Sequence, residues 1–245
     1  MNILLTNDDG IRSEGLQKLA QILRSRHNHK VYIIAPDGNR SGISHAVSML
    51  SGPVKISKLD EDTWSCSGYP ADCVILALLG ELPLKPDLVL SGINQGENVG
   101  PDIIYSGTAA AARQASLAGF PAIALSLAGK EGFCWDMAAS WSADHLEELA
   151  ALWKKGTFIN VNIPNSPGGP KGIAMTRPAL KYYHDNIKVM TSLDDSRWCF
   201  LTGGEESIVK EEGTDCDAVS RDLVSVSSMY NYPMGKLSHT EREKE

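Results

Sequence analysis

The chain reads as an α/β fold, a mostly parallel sheet flanked by helices, with a smaller β-rich appendage toward the C-terminus. Three observations predict this. Apolar runs at residues 2–5, 30–35, 88–90, 121–127 and 157–163 are largely continuous, as strands buried on both faces of a parallel sheet are. Helix-forming stretches separate them, at residues 13–26, 73–79, 109–117 and within 135–155. Beyond the Pro/Gly-rich stretch 166–172 the pattern changes to short β-like pieces.

In chain order, residues 2–5 form the first strand, followed by a helix over 13–26 that places Leu16, Leu19, Ala20 and Leu23 on one face, with Ser13 as its N-cap. The second strand, 30–35, is broken by Pro36-Asp37-Gly38-Asn39. Residues 46–64 suit a β-hairpin or extended excursion, and 73–79 an apolar helix in which Cys73 is a core residue. The third strand, 88–90, runs into a loop at 91–100 rich in glycine and asparagine, where glycines allow close backbone approach to a ligand. Ser106-Gly107-Thr108 opens the Ala-rich helix 109–117. Strands at 121–127 and 157–163 flank a helix within 135–155, and β-like pieces follow at 173–176, 198–201 and 223–226. The expected division is a core over 1–165, rejoined by about 205–228, and an appendage over 166–245 whose charged end, 239–245, is frayed.

Composition narrows the function classes. A 245-residue chain that is 42% hydrophobic and 22% charged can bury a full core. A net charge of −7 without a Lys/Arg run argues against a nucleic-acid duplex as partner, while Arg40, Arg113 or Arg177 could still serve a small anion. Five cysteines without CxxC spacing indicate neither a disulfide framework nor a zinc site and fit a reducing cytoplasm. Met1 leads straight into a strand, leaving no room for a leader, and no apolar stretch reaches the length of a membrane span.

The chemistry concentrates where strands end, which in open α/β sheets is where ligands bind. Asp8 and Asp9 stand side by side after the first strand. Adjacent carboxylates repel unless a cation neutralises them, and a hard divalent metal, Mg²⁺ or Mn²⁺, would do so; a plain Asp-Asp-Gly turn is the alternative. After the second strand, residues 39–45 offer an amide, a guanidinium and a hydroxyl from Asn39, Arg40 and Ser41. Asn94 could add a neutral oxygen. Ser106, Gly107 and Thr108 stand at a helix N-terminus, which serves either as an anion site or as an ordinary cap. Two carboxylates, a hydroxyl and an amide beside such a helix end suit metal-assisted phosphoryl hydrolysis, with Arg40 placed to stabilise developing charge. A nucleotide-binding sensor without turnover is the reading from a different class. Neither His45, near a site loop, nor His184, in the appendage, is assigned a catalytic role.

Seven ordered motifs carry a family resemblance: residues 3–10 (ILLTNDDG), 39–44 (NRSGIS), 70–73 (PADC), 91–94 (SGIN) with Asn98, 105–108 (YSGT), 160–164 (NVNIP) and 214–219 (TDCDAV). Together they resemble the SurE survival-protein family of 5′/3′-nucleotidases. The resemblance implies a Rossmann-like three-layer core and a divalent-metal phosphohydrolase acting on nucleoside monophosphates, with exopolyphosphatase activity as a possible side reaction. It assigns metal ligation to Asp8, Asp9, Ser41 and Asn94. Asp8 and Asp9 are also the catalytic candidates, with one of them orienting a metal-activated water or, alternatively, acting as the nucleophile through an aspartyl-phosphate. Asn39, Arg40, Asn98, Ser106, Gly107 and Thr108 are then the candidates for holding substrate. It further implies a homodimer or homotetramer in which a C-terminal β-element reaches over a neighbour. Two positions depart from the family pattern: Ser13-Glu14 stands where Ala-Pro is common, and Gly38 where a larger polar residue is common.

Overall fold

The computed structural model describes residues 1–26, 29–83, 85–209 and 211–233. The tail at 239–245 lies outside them. β1 (Asn2–Thr6), α1 (Glu14–Ser25) and β2 (Lys30–Pro36) form the first βαβ unit. Ser13 occupies the N-cap position of α1 without capping it. Its hydroxyl instead accepts from Asn7 Nδ2 at 2.6 Å.

A loop with one 3₁₀ turn at Ser48–Leu50 leads to the hairpin β3 (Ile56–Asp60) and β4 (Thr63–Cys66). α2 (Pro70–Leu76) starts three residues earlier than its apolar run suggests, because Pro70 is favoured in the first turn. β5 (Leu88–Gln95), the short α3 (Asp102–Tyr105), α4 (Gly107–Leu117) and β6 (Ala122–Ala128) follow. The expected helix within 135–155 is two helices, α5 (Trp135–Asp144) and α6 (Leu146–Ala151), broken at His145. Then come β7 (Thr157–Pro164), β8 (Gly172–Met175), β9 (Lys181–Thr191), β10 (Arg197–Ile208), α7 (Asp215–Ser220) and β11 (Leu223–Tyr230).

Nine strands form one sheet in the order β3-β4-β2-β1-β5-β6-β7-β11-β8. Its central neighbours from β4 to β7 are all parallel, and only β3–β4 and β7–β11 pair antiparallel. Alternate residues of the strands face opposite layers. Ile3 and Leu5 join Leu16, Leu19 and Leu23 of α1 and Leu146 and Leu149 of α6 in one core. Leu4 and Val89 join Cys73 and Val74 of α2 and Ala109, Ala112 and Ala115 of α4 in the other. Each buried leucine of α1 contributes about 1.5–3 kcal/mol to holding its layer in place. The expected three-layer α/β core is therefore present.

The third strand extends through Gln95, so Ser91, Gly92, Ile93 and Asn94 lie in the sheet, with a register shift against β6 between Ser91 and Asn94. Ser91 and Gly92 lack the apolar character that marks a buried strand, which is why the sequence suggests a loop there. At Gly92 (φ +138°) an added Cβ would stand 2.3 Å from the Leu125 carbonyl oxygen. Only glycine lets the two strands approach so closely. Of the later β pieces, β8 and β11 belong to the main sheet, whereas β9 and β10 make a separate antiparallel ribbon.

Candidate active site

From β1 the chain moves outward to β2 and β4 on one side, then crosses to β5 on the other. The gap beyond the carboxyl ends of β1 and β5 is thus the point where strand order reverses, the usual crevice for a ligand in such sheets. Asp8 and Asp9 emerge there. Asn7 folds the turn that aims them, accepting the Gly10 N–H at 3.1 Å and donating back to the Gly10 carbonyl at 3.1 Å. Gly10 (φ +104°) lies against the Gly38 backbone, so the turns after β1 and β2 touch. The Arg40 N–H completes the join with a 2.7 Å bond to the Asp8 carbonyl.

A cavity of about 200 Å³ lies at this junction, lined among others by Asp8, Ser41, Asn94, Asn98, Asp102 and Ser106. Five residues expected at the site, Asp8, Ser41, Asn94, Asn98 and Ser106, therefore meet there from the turns after β1 and β2, the end of β5 with its following loop, and the start of α4. Asp9 is fastened to another lining residue, its Oδ2 accepting the Gln95 N–H at 3.1 Å. Asn39 and Arg40 line a second cavity that shares Ser41 with the first. Asn39 Oδ1 shapes this loop by accepting the Ser41 N–H at 2.7 Å. The Arg40 guanidinium pairs with Asp37 at 2.7 Å.

Gly107 and Thr108 act on Asp8. The Thr108 hydroxyl donates to Asp8 Oδ1 and the Gly107 N–H to Oδ2 at 3.2 Å. A Cβ at Gly107 would fall 2.7 Å from the Asp8 Cβ, so only glycine leaves room for the carboxylate. Asp8 thus sits against the positive N-terminal end of α4, where a negative charge is favoured. The Ser106 hydroxyl caps the same helix by accepting the Ala109 N–H at 3.0 Å, which leaves its proton for another acceptor.

Burial pushes the Asp8 carboxyl up, against the lowering pull of Thr108 and Gly107. Burial and the neighbouring Asp8 charge push Asp9 up to about 6. Two carboxylates in this position are costly to ionise together, and a cation offsets that cost. Asn94 donates Nδ2 to the Gly96 carbonyl at 2.8 Å, leaving Oδ1 without a hydrogen bond among the described residues. Two carboxylates with the oxygens of Ser41 and Asn94 fit a hard oxygen-seeking divalent ion. No cluster of three or more His, Cys, Asp or Glu side chains suits a metal among the described residues, so neutral oxygens would have to complete this set.

A model of the family described as "Survival protein SurE" matches residues 3–185. The chain belongs to the SurE family. The "5′-nucleotidase SurE" of Pelobacter propionicus is 36% identical over 98% of this chain and 99% of its own length. That of Geobacter sulfurreducens is 39% identical, covering 94% of this chain and 88% of its own. The crystal structure of the SurE protein from Aquifex aeolicus superposes with a TM-score of 0.82 at 35% identity, covering 96% of this chain and 95% of that one. The α/β architecture is accordingly that of the SurE family, and the segment matched by the family model contains every candidate site residue.

The structure also shows supports that the sequence left without a role. Asp102 lines the cavity and is held by Lys181 at 3.2 Å and by the Tyr183 hydroxyl, both from β9. Burial pulls the Lys181 ammonium down, but Tyr183, Glu206 and Asp102 push it further up. Asp215, fully buried, accepts the N–H groups of Gly100, Ala179 and Cys216, each at 2.8 Å. Asn98 is anchored by Asn160, Asn162 and Ser126. Two other candidates are engaged elsewhere: Arg113 stacks over Phe158 and Arg177 pairs with Glu211. His45 bonds Gln114 and His184 bonds Ser207, and neither lines the cavity.

Proposed function

We propose that this chain is a divalent-metal-dependent nucleotidase that hydrolyses nucleoside 5′- and 3′-monophosphates to nucleoside and phosphate. The names of its relatives support the 5′ activity. The observation that carries the chemistry is the acidic pair at the sheet's reversal point, with Asp8 clamped by Gly107 and Thr108 beside the oxygens of Ser41 and Asn94. Asp8, Asp9, Ser41 and Asn94 would hold Mg²⁺ or Mn²⁺. When bound, such an ion supplies a Lewis acid for the phosphoryl oxygens and acidifies water.

The chain's own residues divide the remaining work. Both Asp8 oxygens already accept a hydrogen bond, so this carboxylate is a fixed ligand. Asp9 has one oxygen bonded, to the Gln95 N–H, and its other oxygen orients the attacking water. Ser106 donates its free hydroxyl proton to a phosphate oxygen. The Asn98 amide bonds the Ser126 hydroxyl at 2.9 Å, and because a hydroxyl both donates and accepts, the amide can turn over and offer Nδ2 to phosphate. Arg40 stands at the rim to meet charge that builds on the leaving oxygen.

The exposed apolar side chains of the β9–β10 ribbon, Ile187, Val189, Trp198 and Leu201 among them, support a homodimer or homotetramer joined through it. All five cysteines are unpaired, which supports a reducing compartment such as the cytoplasm. No helix among the described residues is long and apolar enough to cross a membrane. Phosphate release from 5′- and 3′-monophosphates and from short polyphosphate, with Mg²⁺ and with Mn²⁺, tests the assignment. Metal-dependent release from the monophosphates is expected. Nucleotide binding without release from any substrate would favour a sensor.

A further inference from the structure

The second cavity, of about 460 Å³, opens beside the acidic one and meets it at Ser41. We propose that it is the subsite for the nucleoside, with the Tyr69 ring as the platform on which the base stacks. This rests on the nucleotidase reading, and it adds where the leaving group goes and what selects it.

Size and chemistry both point to a nucleoside. The volume falls in the range of pockets, roughly 300–1,000 Å³, that bury molecules of that scale. Beyond Asn39, Arg40 and Ser41, the lining is Ile43, Ser48, Ser67 and Tyr69: one aliphatic side chain, two hydroxyls and one aromatic ring, with no carboxylate. Arg40 is the one cation among the lining residues and serves the ester oxygen, so the pocket offers no second cation to a further phosphate or a carboxylate. The Ser67 hydroxyl accepts the Lys55 N–H at 2.9 Å and keeps its proton to give. A stacking face with neutral hydrogen-bonding groups is what a base and ribose require, and every base has a face to stack. The pocket therefore favours leaving groups that carry a base without choosing strongly among bases.

The walls are also preorganised. Asp72, fully buried, accepts the Tyr69 N–H at 2.8 Å, the Ser48 N–H at 3.0 Å and the Ser48 hydroxyl, so one carboxylate pins both sides of the pocket. The Ser44 N–H bonds the Tyr105 carbonyl at 2.8 Å and ties the same loop to the acidic cavity. A substrate with phosphate beside Asp8 would pass Ser41 and set its base against Tyr69 without further ordering of these walls.

Steady-state kinetics of the full chain and of Tyr69→Ala with adenosine 5′-monophosphate and with ribose 5-phosphate, which lacks only the base, test this. For the variant, kcat/KM for the nucleotide should fall on the order of tenfold, chiefly through KM, while that for ribose 5-phosphate falls less than about twofold. Tyr69→Phe, which keeps the ring, should restore nucleotide kinetics. Equal losses on both substrates, or none on either, would overturn the proposal. Adenosine binding by calorimetry needs no turnover, so it decides the subsite even if the wild-type chain releases no phosphate. Affinity should drop on the order of tenfold in Tyr69→Ala, and unchanged affinity, or no adenosine binding by the wild-type chain, would contradict the assignment.

Discussion

Asp9 carries the most exposed consequence of the acidic pair. Its carboxyl ordinarily titrates near 3.8 and is pushed up to about 6 by burial and by Asp8. Across that window the folded chain holds a proton that the unfolded chain has lost. Asp9's relative contribution to stability is therefore lost as pH rises from 3.8 through about 6, and the full cost of the ionised pair remains above it. A cation between the carboxylates would remove that cost, so its stabilising effect should be largest above this window and fade as pH falls through it. The rise in Tm produced by Mn²⁺ should thus be greater at about pH 7.5 than at about pH 5. Equal rises at the two pH values would place the ion away from Asp9.

Elements that hold the site in place are secured by buried carboxylates whose roles cannot be read from sequence. Asp215, at the start of α7, reaches across to Gly100 in the loop after β5 and to Ala179 before β9. Asp215→Ala would leave the buried N–H groups of Gly100 and Ala179 and the half-buried one of Cys216 without this partner, and should cost about 2–4 kcal/mol. Urea denaturation checks this, and a loss below about 0.5 kcal/mol would show that the loop is held by other means. The placement of the Asp8-Asp9 pair and of the loop after β2 was legible because polar residues cut off apolar runs where β1 and β2 end. The apolar runs likewise revealed the central strands. The remainder depends on contacts distant in sequence. Ser91 and Gly92 lie inside β5 because β1 and β6 pair along it, and Thr108 meets Asp8 because the N-terminus of α4 lies beside the turn after β1. The pairing of β11 between β7 and β8 likewise has no local signature.

At the scale of the molecule, the sheet provides a rigid edge for the site, while the β9–β10 ribbon stands apart from that sheet and exposes apolar side chains. Its base still touches the site through Lys181, Tyr183 and Asp102. Replacing residues 186–203 with an Asn-Gly turn keeps those contacts and the flanking register. The full chain should sediment as an oligomer, and the shortened chain should fold with the core's stability but sediment as a monomer. An unchanged oligomer would assign association to another surface. The central claim, hydrolysis that depends on a cation held by Asp8 and Asp9, is tested most directly by phosphate release from adenosine 5′-monophosphate with Mn²⁺, with EDTA, and with Asp9→Asn in Mn²⁺. The account predicts release by the wild-type chain in Mn²⁺, none in EDTA, and a loss on the order of 100-fold or more in the folded variant. Release that persists in EDTA, or an Asp9→Asn variant as active as the wild type, would contradict it.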